Sequence, residues 1–254
     1  ENYYRLINGY KDLFLATTEP TETYKKSSSL SEIHALYRFD ETLRIQFLRA
    51  FLIVENRLKA IVAYEFTKIH GACGYLDATN YDYIPKNQKE INKLIGKIQR
   101  LITSKSSKDR RLQHYVTNHN GEIPLWVIIN LLTMGNVSKF FKFMKAQEQN
   151  EVARRFSLPP NTVNNYFNNI SIARNRCAHG ERFFSFRFNA EIGVLPEHSS
   201  LQIPIKQGKP IQGVKDLFAV LLMVKYLLND PEFFEKMKAE IAQSLEDLKG
   251  ELEC

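Results

Sequence analysis

Apolar residues recur every three or four positions along most of the chain, the spacing that places them on one face of an α-helix. The longest such pattern covers residues 40–68, with Asp40 at its start as a candidate N-cap and Gly71 after it as a candidate stop. Its apolar stripe consists of Leu43, Phe47, Phe51, Val54, Leu58, Ile61 and Val62. This pattern predicts one long amphipathic helix in the first third of the chain.

The same periodicity predicts further helices, and one segment departs from it. The predicted helices cover Pro124 to Met134 with a break at Gly135, and also 87–103, 137–146, 149–156, 161–179, 213–228 and 231–248. Between residues 183 and 210, apolar residues alternate along Phe184–Phe188 and again along Leu201–Ile205, which is typical of short strands. We therefore predict a mainly α protein, a single helical domain over residues 1–254 with a small β-hairpin elaboration near 183–206.

Composition supports a helical, globular protein. The chain has 254 residues, of which only 11 are Gly and 9 are Pro, well below the roughly 12% usual for the two together. This excludes a collagen-like or disordered chain and disfavours a turn-rich β-sandwich. No apolar run approaches the ~18 residues that a membrane span needs, and the three cysteines lack metal or disulfide spacing. We expect a cytoplasmic protein without a membrane partner. Since its first residue is Glu, we also expect a longer natural N-terminus.

The positive charge is concentrated in one segment. The formal net charge is +7, but residues 231–254 carry −4, so the remainder carries +11. Residues 86–111 alone contribute +7. Within this basic helix and loop, five cations are spaced by three or four positions: Lys86, Lys89, Lys93, Lys97 and Arg100. Such a ridge can follow the phosphate backbone of a nucleic acid, and it can equally be a solvated helix face, so both interpretations stay open.

A cluster of polar residues closes the helix predicted over 161–179. Asn175 and His179 are four positions apart and share a helix face, whereas Arg174 lies about 140° away from His179 around the axis. Arginine can hold phosphate oxygens and histidine can transfer protons near neutral pH, so the set suits a phosphodiester. Arg176 and Arg182 add two further cations. The alternative is that these cations only cap the helix C-terminus.

The segment Arg174-Asn175-x-x-x-His179 resembles the Arg-x(4–6)-His motif of HEPN domains, which are helical domains of many RNA-cleaving defence proteins. Residues 124–130, beginning Pro-Leu-Trp, and residues 134–140, with Gly-x-x-Ser, resemble stretches of the Abi-like family of bacterial abortive-infection proteins, the AbiD/AbiF type. Residues 37–59 resemble the long N-terminal helix of that family. Several matches in the same order make the Abi-like family the closest resemblance.

The resemblance implies a metal-independent endoribonuclease of phage defence that needs no cofactor. It implies that a ribose 2′-OH attacks the adjacent phosphorus, with His179 as general acid or base, Arg174 stabilising the phosphorane and Asn175 orienting the imidazole. Such sites generally form across a homodimer, and Arg176, Arg182 and the basic ridge would bind the RNA. A cognate small noncoding RNA or an antitoxin is a further partner that this class allows. Where many relatives have a second histidine, this chain has Gly180.

Two alternatives remain at this level. The chain could be a non-catalytic RNA-binding or regulatory HEPN module that sequesters a structured RNA, an interpretation that Gly180 supports. It could also be a protein-interaction scaffold. We interpret Cys177 as a small buried residue rather than a nucleophile, and Trp126 as part of the core or of a dimer interface.

Overall fold

The computed structural model describes residues 3–26 and 28–252, and it confirms a mainly α fold. Within these residues the α-helices are α1 (Tyr3–Tyr10), α2 (Leu30–His70), α3 (Pro85–Lys105), α4 (Arg110–Asn118), α5 (Leu125–Ile128), α6 (Met134–Phe143), α7 (Ala146–Arg154), α8 (Pro160–Ala178), α9 (Pro196–Ser200), α10 (Leu217–Leu228) and α11 (Pro231–Leu252). Short 3-10 helices cover Lys11–Phe14, Gly74–Leu76, Ala78–Asn80 and Ile129–Leu131.

Two small antiparallel sheets accompany the helices. Strands β1 (Leu15–Thr17) and β2 (Thr23–Tyr24) pair near the N-terminus, and β3 (Ile205–Lys206) pairs with β4 (Lys209–Pro210). The second pair is a hairpin at the C-terminal end of the segment for which the sequence predicts strands, and of the two predicted strands, Phe184–Phe188 and Leu201–Ile205, only Ile205 lies in it. The N-terminal pair was not predicted, because its strands are too short to show an alternating pattern.

The chain divides into two compact units. The first consists of residues Glu1–Phe51 and Ala173–Cys254, and the second consists of Leu52–Ile172. In the first unit, aromatic rings form a continuous series: Phe47 meets Phe183 edge-on at 5.4 Å between centroids, and Phe186 meets Phe188 at 4.7 Å. All four rings are buried, so the segment that follows α8 packs into the core of its own unit.

The second unit has its own aromatic core. Phe66, Tyr81 and Phe140 are mutually in contact, with ring centroids 5.0 to 5.4 Å apart, and all three are at most 1% exposed. The buried carboxylate of Glu148 is paired beside them, through the contact between His70 Nε2 and Glu148 Oε1. This contact gives the buried carboxyl group a polar partner beside the aromatic core.

Helix α2 begins ten residues before the predicted start. Ser29 caps it in a reciprocal arrangement, in which Glu32 N donates to Ser29 Oγ at 3.3 Å and Ser29 N donates to Glu32 Oε2 at 2.6 Å. The prediction of Asp40 as N-cap was therefore wrong, because this residue lies in the middle of the helix and is fully buried.

The predicted helix from Pro124 to Met134 is also corrected. The α-helical part ends at Ile128, and a new helix begins at Met134 rather than breaking at Gly135. Thr133 is its N-cap and accepts from Asn136 N at 3.3 Å, which gives the chain a start signal one residue before Met134.

The predicted first strand of the hairpin segment is not formed. Residues Phe184–Phe188 form no strand in this structure, although their alternation is real. Phe186 and Phe188 are buried, and Phe184 is half-buried. The pattern reflects rings that enter a core from an irregular segment, and a period of two cannot by itself distinguish this from a strand.

Candidate functional site

The end of α8 is fixed by a Schellman motif. Gly180 N donates to Cys177 O at 3.1 Å, and Glu181 N donates to Arg176 O at 3.0 Å. Gly180 has φ = +68°, the left-handed conformation that glycine adopts without strain. This geometry terminates the helix at Ala178 and leaves the side chain of the next residue, His179, exposed at the helix end.

His179 opens onto a cleft of about 510 Å³ within the first unit. The end of α8 contributes one wall, and α2 contributes the other. The lining residues are Tyr37, Glu41, Arg44, Ile45, Leu48, Cys177, Ala178, His179 and Gly180. The cleft therefore combines an imidazole, a carboxylate, a phenol and a guanidinium, a set that can bind an anion and transfer protons.

A buried carboxylate holds this arrangement together. Asp40 is completely buried and accepts from Arg44 Nη1 at 2.5 Å and from Tyr10 Oη at 2.5 Å. It also accepts from Phe184 N at 2.6 Å and from Phe183 N at 3.0 Å. Asp40 thus joins α1 and α2 to the chain just after the His179 helix, which fixes one wall of the cleft against the other.

Burial and the Asp40 network shift the pKa values of its neighbours. Burial, followed by the hydrogen bond to Asp40, raises the pKa of Tyr10 above its ordinary value. Burial alone would lower the pKa of Arg44, but its interactions with Tyr10 and Asp40 outweigh this and raise it. Burial and the nearby Asp40 charge raise the pKa of Cys177 to about 12. Cys177 is thus a buried neutral thiol, as its interpretation as a packing residue requires.

The three predicted catalytic residues lie in different surroundings. His179 lines the cleft, and Asn175 is exposed one turn earlier on the same helix. Arg174 is half-buried and is not among the residues that line the cleft. The angle between Arg174 and His179 around the helix explains this difference, because a single helix directs these two side chains to different sides.

The two flanking arginines already have intramolecular partners. Arg176 Nε lies 3.0 Å from Glu181 Oε2, and its guanidinium lies over the Phe186 ring at 4.7 Å. Arg182 donates to Asp12 Oδ1 at 2.6 Å and lies over the Phe184 ring.

Through these contacts Arg176 and Arg182 each bind a carboxylate and an aromatic ring of the first unit, so both already have a structural role. Binding of RNA by either guanidinium stays a prediction, and it would compete with a carboxylate in each case.

Glu41 and Tyr37 are cleft residues that the sequence patterns did not single out. Both lie on α2, Tyr37 before the predicted start at Asp40 and Glu41 just after it. Arg44 occurs in the stretch that resembles the family helix, but no motif indicates that it faces His179. The signal that could have identified these residues is an i, i+4, i+7 series of polar groups, at positions 37, 41 and 44, beside an apolar stripe.

The basic ridge lies on α3 in the second unit. The side chains of Lys86, Lys89, Lys93, Lys97 and Arg100 are all solvent-accessible. The opposite face of the helix is buried through Ile91, Leu94, Ile95 and Ile98. Glu90 is the one acid of α3, and a hydrogen bond from Lys139 together with the charge of Lys93 lowers its pKa. The ridge therefore presents its cations to solvent with little neutralisation.

These features define a helical protein with an imidazole at a helix end, facing a cleft that holds a carboxylate and a buried arginine. Residues 1–185 match the family model described as Abi-like protein, and the chain belongs to this family. Family membership points to abortive infection, a form of phage defence. Neither curated proteins nor solved structures give a significant match to the chain.

Two further properties concern the residues that the structure describes. None of the helices over 3–26 and 28–252 combines the length and apolar character that crossing a membrane requires. Across the same residues, His, Cys, Asp and Glu side chains form no group of three that could hold a metal ion.

Proposed function

We propose that the chain is an endoribonuclease of bacterial phage defence that cleaves RNA at the cleft containing His179. The observation that carries this proposal is the position of His179, exposed at the end of α8 and facing Arg44 and Glu41 across one cleft. An RNA phosphodiester needs a cation for its oxygens and groups that exchange protons, and this cleft offers both.

The proposed reaction is a transesterification within the RNA. The 2′-oxygen forms a bond to phosphorus as its proton leaves to a base, and the bond from phosphorus to the 5′-oxygen breaks as that oxygen receives a proton. The products are a 2′,3′-cyclic phosphate and a 5′-hydroxyl. Two proton-transfer groups are needed, and positioned ones typically contribute about 10²–10⁴-fold each.

His179 supplies one of the two proton-transfer groups, and two sources of the second group fit the cleft. The first source is Glu41, which lines the same cleft and could accept or return the other proton. The second source is the histidine of a partner subunit in a homodimer. Asn175, one turn away on the same helix face, would orient the imidazole.

A homodimer also accounts for Arg174. This residue lies outside the cleft of its own chain, so its guanidinium can reach the phosphorane most directly from a second copy. Within each chain Arg44 already places a buried, hydrogen-bonded cation at the cleft. Together the two arginines would stabilise the charge that develops on the phosphate oxygens, often the largest contribution to catalysis.

A non-catalytic RNA-binding module is the second candidate. The observation that favours it is Gly180, which stands where many relatives are expected to carry another histidine and which removes one proton-transfer group. In that case the exposed α3 ridge would bind a structured RNA without cleavage.

The experiment that tests the proposal is an RNA cleavage assay with and without EDTA. We expect the wild-type chain to cleave mixed RNA in EDTA, and His179→Ala to lose this activity. His34→Ala is the matched control, because His34 is a half-buried histidine of the first unit that does not line the cleft. Binding of RNA without any product would favour the regulatory module, and a requirement for Mg²⁺ would contradict the mechanism.

A further inference from the structure

Trp126, the one tryptophan of the chain, is half exposed to solvent at 50%. It lies on α5, a single helical turn in which Leu125 and Ile128 are completely buried. The turn is therefore anchored by its neighbours and presents the indole outward. The exposed ring of Tyr64 lines the same cleft as the indole, so the indole is part of a larger exposed aromatic surface, and such patches mark binding sites more often than single exposed residues do.

The exposed indole borders two clefts of the second unit. One has a volume of about 490 Å³ and is lined by Arg111, His114, Tyr115, Trp126, Val127 and Asn130. The other has a volume of about 430 Å³, and besides Trp126 it includes the exposed ring of Tyr64 and the amide of Asn56. Both volumes lie within the range of roughly 300–1,000 Å³ that is common for ligand sites.

Helix α4 brings aromatic rings and cations to the first of these clefts. His114 and Tyr115 line it, and their rings lie 5.5 Å apart, with the His119 ring 5.1 Å from that of Tyr115. The exposed Arg110 and Arg111 open the same helix. Arg111 is held in place by Asp109, with 2.7 Å between Nη2 and Oδ2.

We infer that the clefts beside Trp126 bind single-stranded RNA, with the indole as a stacking platform for a base and the α4 cations against the flanking phosphates. Stacking on an exposed aromatic ring next to cations is the general way in which proteins hold single strands without reading their sequence. The choice of RNA as the natural ligand rests on the proposed function, whereas the site itself is independent of the cleft at His179.

A second copy of the chain is a less suitable occupant of this surface. In a symmetric dimer the same surface patch meets itself, so two copies would bring like charges together across the interface. Here the indole is bordered by Arg111 and His114, and the exposed Arg110 lies on the same helix as both. The local charge is complementary to a phosphate backbone rather than to an identical basic surface.

The emission of Trp126 reports directly on this site, because the chain has a single tryptophan. The His179→Ala chain, which leaves the RNA intact, is titrated with an unstructured oligoribonucleotide, and binding is followed in parallel by anisotropy of a label on the RNA. We expect saturable quenching of the emission with the same midpoint as the anisotropy. A single-stranded DNA of the same sequence distinguishes RNA from single strands in general, and equal affinity for the DNA would overturn the choice of RNA.

Substitution tests the energetic role of the indole. In the His179→Ala background, Trp126→Leu should weaken RNA binding by about 5- to 150-fold, as expected for the loss of one stacked base, and Trp126→Phe should restore part of it. Tyr24→Leu is the matched control, since Tyr24 is a similarly exposed aromatic residue of the other unit. Far-UV circular dichroism of each variant establishes that the fold is retained.

Several results would overturn the inference. These are RNA binding that leaves the emission unchanged, wild-type affinity in the Trp126→Leu variant, and an emission that changes with protein concentration alone, which would indicate a second copy at this surface. If the wild-type chain cleaves RNA, but neither the emission of Trp126 nor the affinity of the Trp126→Leu variant changes as expected, only this inference is refuted. Quenching by RNA in a chain that never cleaves would refute only the ribonuclease.

Discussion

Asp40 is a fully buried carboxylate that accepts hydrogen bonds from α1, from α2 and from the segment after α8. Asp40→Asn retains the shape of the side chain but leaves the Arg44 guanidinium buried without its counter-charge. Removing one partner of a buried ion pair typically costs about 3–5 kcal/mol of the free energy of unfolding. We expect a loss of this size, measured by urea denaturation followed by circular dichroism.

The control for this substitution is an exposed carboxylate of the same unit. Asp12 pairs with Arg182 at 2.6 Å, but its side chain is 56% exposed. Asp12→Asn should therefore change the free energy of unfolding by less than about 1 kcal/mol. Equal effects of the two substitutions would show that the Asp40 network does not hold the cleft together.

Cys177 provides a second prediction for an individual residue. Its thiol is 6% exposed and has a pKa raised to about 12 by burial and by Asp40. Because only the thiolate reacts, we expect iodoacetamide to label Cys177 of the native chain at pH 8 at least about 100-fold more slowly than a free cysteine. Peptide mass spectrometry, with the urea-unfolded chain as reference, measures this rate.

Folding favours the neutral form of this thiol, which gives the sign of its pH dependence. Its contribution to stability is complete below the unfolded pKa of about 8.5 and is lost as the pH rises toward the folded value. Rapid labelling of Cys177 under native conditions would contradict this and would reopen the possibility of a nucleophilic role.

At the scale of single helices, two glycines should respond to alanine in opposite directions. Gly180 ends α8 with φ = +68°, where a Cβ is strained, so Gly180→Ala should lower the free energy of unfolding by about 1 kcal/mol. Gly96 lies inside α3, and a methyl group at its Cα would point into open space, so Gly96→Ala should raise it by about 0.5–1 kcal/mol. Urea denaturation measures both, and a shared sign would contradict the helix boundaries.

The α3 ridge yields a prediction about salt dependence. Each lysine that contacts a phosphate of single-stranded RNA contributes about 0.7 to the slope of log affinity against log salt. Replacing Lys89, Lys93 and Lys97 with Gln should therefore reduce the magnitude of this slope by about 2. Anisotropy titrations of a labelled oligoribonucleotide at several salt concentrations measure the change.

The control removes the same number of charges from another helix. Lys236, Lys238 and Lys249 are exposed on α11, where acids outnumber lysines. Their replacement with Gln should leave the slope unchanged if the ridge binds the RNA. A slope that falls equally in both triple variants would identify net charge, rather than the ridge, as the determinant.

For the whole molecule, the proposed homodimer can be tested by complementation. Arg174→Ala and His179→Ala should each be inactive. A heterodimer of the two, isolated by two different affinity tags, should recover about half of the wild-type activity, because one of its two equivalent sites contains both intact residues. The RNA cleavage assay measures this recovery.

Two outcomes would exclude this arrangement. A monomer by light scattering at micromolar concentration would remove the second chain from which Arg174 is proposed to act. An inactive heterodimer, with both parents folded and dimeric, would mean either that Arg174 and His179 act from the same chain or that one site needs both copies of His179.

The sequence by itself determined the helices and their buried faces. Apolar residues at helical spacing predicted α3 and α10 within a few residues of their observed bounds, because a surface helix must bury one face and expose the other. The sequence was a poorer guide to the first residue of a helix, which is decided by capping hydrogen bonds. Ser29 and Thr133 start helices that the apolar pattern placed elsewhere, since a cap depends on two or three hydrogen bonds and not on periodicity.

The candidate site shows the same division. The spacing of Arg174, Asn175 and His179 identified the helix end where the cleft lies, and it also showed that one helix cannot direct the arginine and the histidine to the same side. Only the tertiary structure placed Glu41 and Arg44 opposite His179, because these residues are more than 130 positions away in sequence and are brought there by the packing of α2. Periodicity records which face of a helix is buried, whereas contacts between distant segments depend on how those faces pack.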